Sequence, residues 1–154
     1  MQPSGIYSVR QGKIVIMYKA RVEDEFSAAH FLSHYRGKCE KIHGHNYRVR
    51  LWVRGELLDE GGMLADFSLL KKALREALSL LDHSNLNDMK VFQNDPSAER
   101  IAKFIFEEAL KRLRELGIDA ALLWAVDVFE NPRNMARYEI TGVAKPGYVP
   151  DGHR

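Results

Sequence analysis

The sequence predicts an α+β fold in which two strands precede two helices and a second pair of strands. Residues 47–54 alternate apolar and polar side chains, which is the period of a strand with one buried face. Residues 67–81 and 101–116 carry apolar side chains at helical spacing. Residues 122–141 contain two strand-like stretches around Asn-Pro-Arg-Asn, which predicts a hairpin.

The first two strands are predicted at residues 18–30 and 43–55, joined by a long loop. In the second strand, one parity is apolar: Tyr47, Val49, Leu51 and Val53. In the first strand, the corresponding parity holds Val22, Phe26 and Ala28. Because side chains two residues apart share a face of a strand, each strand is expected to bury one face.

Both helices are predicted to be amphipathic. The first is expected to begin after Asp66 as N-cap and to run for about 15 residues. Its apolar face is Phe67, Leu70, Leu74, Ala77, Leu78 and Leu81. The second is expected to have Asp95 as N-cap, Pro96 at its first position and Gly117 at its end. Its apolar face is Ile101, Phe104, Ile105, Ala109, Leu113 and Leu116.

The remaining segments are a C-terminal hairpin, an N-terminal extension and a C-terminal tail. The C-terminal hairpin is expected to pair residues 122–130 with residues 135–141, and strict alternation places Trp124, Val126 and Val128 on one face. Residues 1–16 are expected to be an N-terminal extension whose apolar stretches suit a small hairpin. Residues 17–141 form the predicted domain, and residues 142–154 are expected to be an irregular tail.

The composition suits one domain with its own core. The chain has 154 residues, of which 45% are hydrophobic and 29% charged. A net charge of +2 gives no argument for a nucleic-acid or membrane partner. The single cysteine excludes an intramolecular disulfide. With no apolar run of membrane-spanning length and no signal-peptide pattern, the protein is expected to be cytoplasmic.

Three histidines have the parity of the buried strand faces. His43 and His45 extend the apolar parity of the second strand backwards, and His30 ends the first strand with the inward parity. Three imidazoles without a fourth fixed ligand match a catalytic zinc site with an open position. The alternative is that they are hydrogen-bonded polar lining, since short motifs are only hypotheses.

Two other pairs of residues are candidates for proton chemistry. Cys39 has basic neighbours, which suit a reactive thiol, although a buried cysteine more often behaves as a small hydrophobic residue. Glu40 beside it is a second candidate base or a carboxylate that points to solvent. Asp82 next to His83 suits a proton carrier oriented by a carboxylate, but adjacent residues need not bond to each other.

These motifs occur in a specific order. Phe26-Ser27-Ala28-Ala29-His30 is followed by Cys39-x-x-x-His43-Gly44-His45 and then by Leu81-Asp82-His83. In this order and spacing they resemble the 6-pyruvoyltetrahydropterin synthase family, whose bacterial branch includes the 6-carboxytetrahydropterin synthases of the queuosine pathway. The resemblance covers residues 18–141, which is nearly the whole chain.

The resemblance implies the tunnelling fold, an antiparallel four-stranded sheet with two helices on one face. Members of the family assemble into oligomeric barrels and are usually homohexamers made of two trimers, with active sites at subunit interfaces. Closure into a barrel would also remove the open edges that the predicted sheet leaves.

The same resemblance implies a role for each candidate residue. The three histidines would bind Zn²⁺, and Cys39 would be the catalytic base. Asp82 and His83 would form a proton relay. Glu130, which ends an apolar strand, would anchor the pterin by accepting two parallel hydrogen bonds, and Glu99 would line the same pocket. Without the resemblance, Glu130 is a plain strand-end glutamate and Glu99 favours the helix dipole.

The implied reaction converts 7,8-dihydroneopterin triphosphate to 6-carboxy-5,6,7,8-tetrahydropterin, with loss of acetaldehyde and triphosphate. Basic loop residues are candidates for meeting the triphosphate: Arg36, Lys38 and Lys41. The alternatives are a 6-pyruvoyltetrahydropterin synthase and a folate-pathway variant that releases 6-hydroxymethyldihydropterin through Glu40. A non-catalytic zinc-binding protein is a more distant alternative, which would not require the cysteine and the Asp-His pair.

Overall fold

The computed structural model describes residues 7–10 and 13–142 of the chain. The strands are β1 (Tyr7–Arg10), β2 (Lys13–Ile16), β3 (Tyr18–His30), β4 (His43–Gly55), β5 (Ser84–Asn85), β6 (Leu123–Asn131) and β7 (Asn134–Glu139). The helices are α1 (Phe67–Ser79) and α2 (Ala98–Glu115). The predicted bounds of β3 and β4 are confirmed. Residues 143–154 of the expected tail lie outside the described residues.

The main sheet has five strands in the order β5-β3-β4-β6-β7. The four long strands are antiparallel, as predicted. The short β5 pairs parallel to β3, so the sheet is mixed and has one strand more than predicted. The chain leaving α1 runs back beside the end of β3, where the His83 N–H donates to the Ser27 carbonyl at 2.6 Å. β1 and β2 form a separate antiparallel hairpin.

Both helices cover one face of the sheet, which confirms the α+β class. The apolar stripes of α1 and α2 pack on each other and on the inward parity of the strands. The largest fully buried side chains come from all these elements: Tyr47, Leu51, Leu70, Leu74, Ile101, Ile105, Leu113 and Leu123. Among the described residues, no helix is both long and apolar enough to span a membrane.

The helix starts confirm one expected cap and correct the other. The carboxylate of Asp66 caps α1 by accepting from the Ser68 N–H at 2.7 Å. Asp95 does not cap α2; Ser97 does, through its hydroxyl and the Arg100 N–H. Asp95 was a wrong choice because its carboxylate bonds instead to the loop that follows β3.

Two expected core positions are also corrected. Phe67 is 54% exposed, because it is the first residue of α1 and projects beyond the sheet contact. Trp124 does not share a face with Val126 and Val128, because the pairing of β4 and β6 shifts register at Trp52/Val53. The shift places the Trp124 ring at 6.2 Å from the Trp52 ring, on the face away from the helices.

The face of the sheet opposite the helices is built around a buried carboxylate. Asp127 is 1% exposed and accepts from Trp52 Nε1 at 2.8 Å and from Arg137 Nε at 2.6 Å. A second Arg137 nitrogen donates to Asp127 at 3.1 Å. Hydrogen bonding to Asp127 raises the pKa of Arg137. In a bidentate pair of this kind, removing either side chain leaves the other without its hydrogen bonds.

Asp127→Ala should lower the free energy of unfolding by about 2–4 kcal/mol, because it removes two hydrogen bonds from Arg137 to a buried carboxylate and leaves the indole N–H of Trp52 unpaired. Urea unfolding would measure the change. Glu115→Ala is the control, since the exposed Glu115–Arg112 pair should be worth under about 0.5 kcal/mol. Equal effects of the two substitutions would contradict a structural role for the Asp127 network.

Candidate functional site

The three predicted histidines lie together at one end of the β3–β4 ladder. The register pairs His30 with His43 and Ala28 with His45. Because the inward parity of both strands faces the helix layer, all three imidazoles meet on the helix side of the sheet. Their ring centroids are 4.5 to 5.1 Å apart. His30 is 1% exposed, and the other two are partly buried.

Backbone carbonyls set the tautomer of two of these rings. His30 Nδ1 donates to the Pro96 carbonyl at 2.8 Å, and His43 Nδ1 donates to the Lys41 carbonyl at 2.8 Å. A carbonyl oxygen can only accept, so in each neutral ring the proton is on Nδ1 and Nε2 carries a lone pair. This is the arrangement in which a histidine presents Nε2 to a metal.

The Nε2 atoms converge on a point that suits a cation. His30 Nε2 and His43 Nε2 are 3.0 Å apart, although neither carries a proton to share. His45 Nε2 is buried and has no hydrogen-bond partner within the described part of the chain. The three candidate ligand atoms lie within 4.8 Å of one another. Tetrahedral Zn²⁺ with bonds of about 2.0–2.1 Å would separate its nitrogen ligands by about 3.3 Å, so the group fits.

Burial favours the metal-binding protonation state of His30 and His45. Desolvation lowers the pKa of both, because the apolar surroundings disfavour imidazolium. His43 also lowers the pKa of both, and His30 lowers that of His45. Neutral imidazoles near pH 7 are ready to coordinate without first losing a proton.

Glu130 lies beside the histidines, and Cys39 lies near Tyr47. Glu130 Oε1 is 3.9 Å from His30 Nε2, and the Glu130 side chain is 25% exposed. Its carboxylate can therefore contact both the three-histidine group and solvent. Burial raises the pKa of Tyr47, whose ring lies 5.2 Å from that of His45, and the nearby Glu130 and Cys39 act in the same direction. Cys39 is partly buried in the 3₁₀ turn Lys38–Glu40.

Asp82 and His83 do bond to each other, which sequence alone left open. Asp82 Oδ2 is 2.9 Å from His83 Nδ1, and Asp82 Oδ1 accepts from the Ser27 N–H at 2.9 Å. These bonds lower the pKa of Asp82, the Ser27 amide most. His83 has φ 54°, a left-handed conformation, and its side chain is 82% exposed. The aspartate therefore orients the imidazole at the surface.

This pair is not bonded to the three histidines. His83 opposes Ser27, and both residues line a surface depression with Gly44, His45 and Asn46. No hydrogen bond or ion pair among the described residues joins Asp82 or His83 to the histidine cluster. A single chain thus carries the three-histidine group and the Asp-His pair at the same sheet edge, without a bond between them among the described residues.

The two remaining glutamates are both exposed. Glu99 is in the first turn of α2, three residues after Pro96, whose carbonyl holds His30. Glu40 follows Cys39 in the 3₁₀ turn and points to solvent in one chain. Neither makes a side-chain hydrogen bond among the described residues, so both are free to meet another molecule.

Sequence reasoning missed the groups that hold the site in place. The carbonyls of Pro96 and Lys41, the amide of Asn87 and the carboxylate of Asp95 all support the histidines or the Cys39 loop. Every residue has a backbone carbonyl, so the sequence does not show which carbonyl accepts a hydrogen bond from a given histidine. Asp95 did stand out as polar beside Pro96, but its position suited a helix cap equally well.

The fold and the cluster define an α+β protein with, at one end of its sheet, a three-histidine group that could hold a metal ion. A family model described as 6-pyruvoyl tetrahydropterin synthase matches residues 19–141. The chain belongs to the 6-pyruvoyl tetrahydropterin synthase family, as the motifs predicted.

Individual relatives agree with this assignment. The chain is 40% identical over 128 residues to a 6-carboxy-5,6,7,8-tetrahydropterin synthase of Synechocystis sp., a match covering 80% of this chain and 92% of that protein. It is 33% identical over 130 residues to a putative 6-pyruvoyl tetrahydrobiopterin synthase of Caenorhabditis elegans, covering 75% and 90%. The solved structure of a 6-pyruvoyl tetrahydropterin synthase from the same animal has a TM-score of 0.71 at 29% identity, covering 81% and 96%.

His45→Ala should abolish metal binding while the fold survives, because it removes one of three converging nitrogens and leaves the core apolar. We expect about one zinc per chain in the unchanged protein and under about a tenth of that in the variant, measured by atomic emission after dialysis. His34→Ala is the matched control, since that imidazole is exposed and outside the cluster. Stoichiometric zinc in His45→Ala would refute the ligand assignment.

Proposed function

We propose that the chain is a zinc-dependent lyase that converts 7,8-dihydroneopterin triphosphate and one water to 6-carboxy-5,6,7,8-tetrahydropterin, acetaldehyde and triphosphate. The observation that carries the proposal is the convergence of three histidine nitrogens beside Glu130, with Cys39 near Tyr47, in a chain of this family. The Synechocystis relative, whose name is that of this activity, supports this product over the pyruvoyl product.

Glu130 and Glu99 are proposed to hold the pterin ring. The Glu130 carboxylate is 3.9 Å from a candidate metal ligand, so a ring bound to it would extend its side chain over the cluster. Two parallel N–H donors of a pterin suit one carboxylate, as guanidinium does. Glu99 is exposed on the first turn of α2, near the same end of the sheet.

Cys39 is proposed to remove a proton from the pterin side chain. Zn²⁺ at the three histidines would supply Lewis-acid chemistry, making hydroxyls and the adjacent carbon of that side chain more acidic. The thiolate is the active form of a cysteine base, and basic residues surround it in the loop. The same basic residues, Arg36, Lys38 and Lys41, are proposed to meet the triphosphate.

The Asp82–His83 pair is proposed to act on substrate held by a neighbouring subunit. The exposure of His83 supports this, because a relay that faces solvent in one chain needs another chain to close the site. A homohexamer of two trimers would supply that neighbour. The open edge of β7 and the Trp- and Arg-rich outer face are consistent with strand pairing between chains.

The product would enter synthesis of queuosine-type deazaguanines in the cytoplasm. The lone cysteine, half-buried and used as a thiol, favours a reducing compartment. Incubation with 7,8-dihydroneopterin triphosphate followed by mass-resolved product analysis tests the activity. Formation of 6-carboxytetrahydropterin with acetaldehyde supports it. Stoichiometric zinc binding without turnover would favour the non-catalytic reading.

Cys39→Ala should keep zinc and the pterin while turnover falls at least about a hundredfold, the usual contribution of a general base. The substitution removes the thiol, and the histidines and Glu130 stay in place. Turnover and zinc content measured on one preparation would separate the two effects. A rate near that of the unchanged chain would return Cys39 to a structural role.

Glu40 decides between two products if it reaches the same substrate as Cys39. Each base would remove a different proton, and the first proton lost determines which carbon–carbon bond breaks. Cys39→Ala should then retain 6-hydroxymethyldihydropterin and lose the carboxy product, and Glu40→Ala should do the reverse. Both products would be quantified for the three proteins. An unchanged product ratio in Glu40→Ala would show that Glu40 takes no part.

A further inference from the structure

The loop that carries Cys39 has little structure of its own. Residues 31–42 connect β3 to β4 and contain only the 3₁₀ turn Lys38–Glu40 among the described elements. A connection of this length in a compact domain needs outside contacts to take one conformation. Those contacts come from the segment just before α2.

The geometry points to Asp95 as a positioning residue that, with Asn87, fixes the Cys39 loop against the start of α2. The inference rests on the proposed function only in that Cys39 is taken as the base. Asp95 is not needed as a helix cap, because Ser97 fills that place. Its carboxylate is therefore available for the loop.

Asp95 binds two consecutive loop residues. Its Oδ1 accepts from the His34 N–H at 3.1 Å and from the Ser33 hydroxyl at 3.1 Å, and its Oδ2 bonds to His34 Nδ1. The contact with His34 lowers the pKa of Asp95 to about 2, so the carboxylate stays an acceptor over the neutral range. An Arg100 nitrogen donates to the Asp95 carbonyl at 3.2 Å, which anchors Asp95 to α2.

Asn87 holds the first residue of the same loop. Its Oδ1 accepts from the Phe31 N–H at 2.9 Å, and its Nδ2 donates to the Phe31 carbonyl at 2.9 Å and to the Asn94 carbonyl at 3.0 Å. One amide thus joins the end of β3 to the residue that precedes Asp95. Together Asn87 and Asp95 form hydrogen bonds with three of the first four loop residues: Phe31, Ser33 and His34.

This frame connects the metal-binding group to the thiol. On one side, the Pro96 carbonyl, one residue after Asp95, accepts from His30 Nδ1. On the other side, the Leu32 N–H donates to the Cys39 carbonyl at 2.8 Å, so the bound start of the loop holds its far end. The distance between His30 and Cys39 is consequently set through Asp95 and its neighbours. A shift of about 1 Å in such a frame can cost a hundredfold in rate.

The test compares Asp95→Ala with Asp66→Ala as a matched control. Asp66 also accepts from a backbone N–H and a serine hydroxyl, and hydrogen bonding lowers its pKa as well, but it caps α1 away from the Cys39 loop. Asp95→Asn is the conservative variant, because its amide oxygen can still accept from Ser33 and His34. Three measurements are made on the full-length, zinc-loaded protein: Cys39 alkylation by iodoacetamide, hydrogen exchange of residues 31–40, and steady-state turnover.

Asp95→Ala should raise the Cys39 alkylation rate at least about fivefold and speed exchange of the Leu32 and His34 amides, since local opening governs both. Turnover should fall at least about tenfold in kcat with KM changed under about threefold, because the base is misplaced while the pterin site remains. For Asp95→Asn, the alkylation rate, amide exchange and turnover should fall between those of Asp95→Ala and those of the unchanged chain. Asp66→Ala should match the unchanged chain in all three measurements.

Two results overturn the inference. One is alkylation and exchange in Asp95→Ala equal to those of the unchanged chain. The other is an equal effect of Asp66→Ala, which would indicate general loosening of the fold. If the unchanged chain does not turn over dihydroneopterin triphosphate, the proposed function fails, and alkylation of the single cysteine still decides the role of Asp95.

Discussion

The register of the β3–β4 ladder is the constraint on which the site depends. Thirteen consecutive pairs run from Tyr18 opposite Gly55 to His30 opposite His43. A slip of one residue would turn every inward side chain outward, and the same slip would scatter the imidazoles over two faces. The pairs that bury Val22 and Phe26 against the helices therefore also bring His30, His43 and His45 together. The core and the metal-binding group are specified by a single pattern.

The periodic part of the molecule could be predicted from sequence for this reason. Alternation over residues 47–54 predicted a strand, and its extension to His45 and His43 predicted that these two side chains share its inward face. The apolar spacing of α1 and α2 similarly predicted the covering layer. Regular elements repeat their environment at a fixed interval, so one correct parity determines many side chains at once.

Features that depend on contacts distant in sequence could not be obtained in this way. The bulge that moves Trp124 to the outer face arises between two strands, and neither strand shows it alone. The short β5 forms because the chain after α1 pairs with the end of β3. The residue types of Ser84–Asn85 do not predict a strand on their own. Asp95 had the composition of a cap, and only the loop folded against it shows its other bonds. The relation of the Asp82–His83 pair to the three histidines is likewise a property of the folded sheet.

His83 has a left-handed backbone conformation that a β-carbon disfavours, at a cost of about 1–2 kcal/mol. Glycine or asparagine would relieve that cost and leave the nearby β3–β5 pairing intact. Selecting variants by folding free energy alone would therefore replace His83 with glycine or asparagine. The proposed proton relay and the stability of the fold are opposed at one φ angle, so an enzyme engineer working on this chain would keep His83 and look for stability elsewhere.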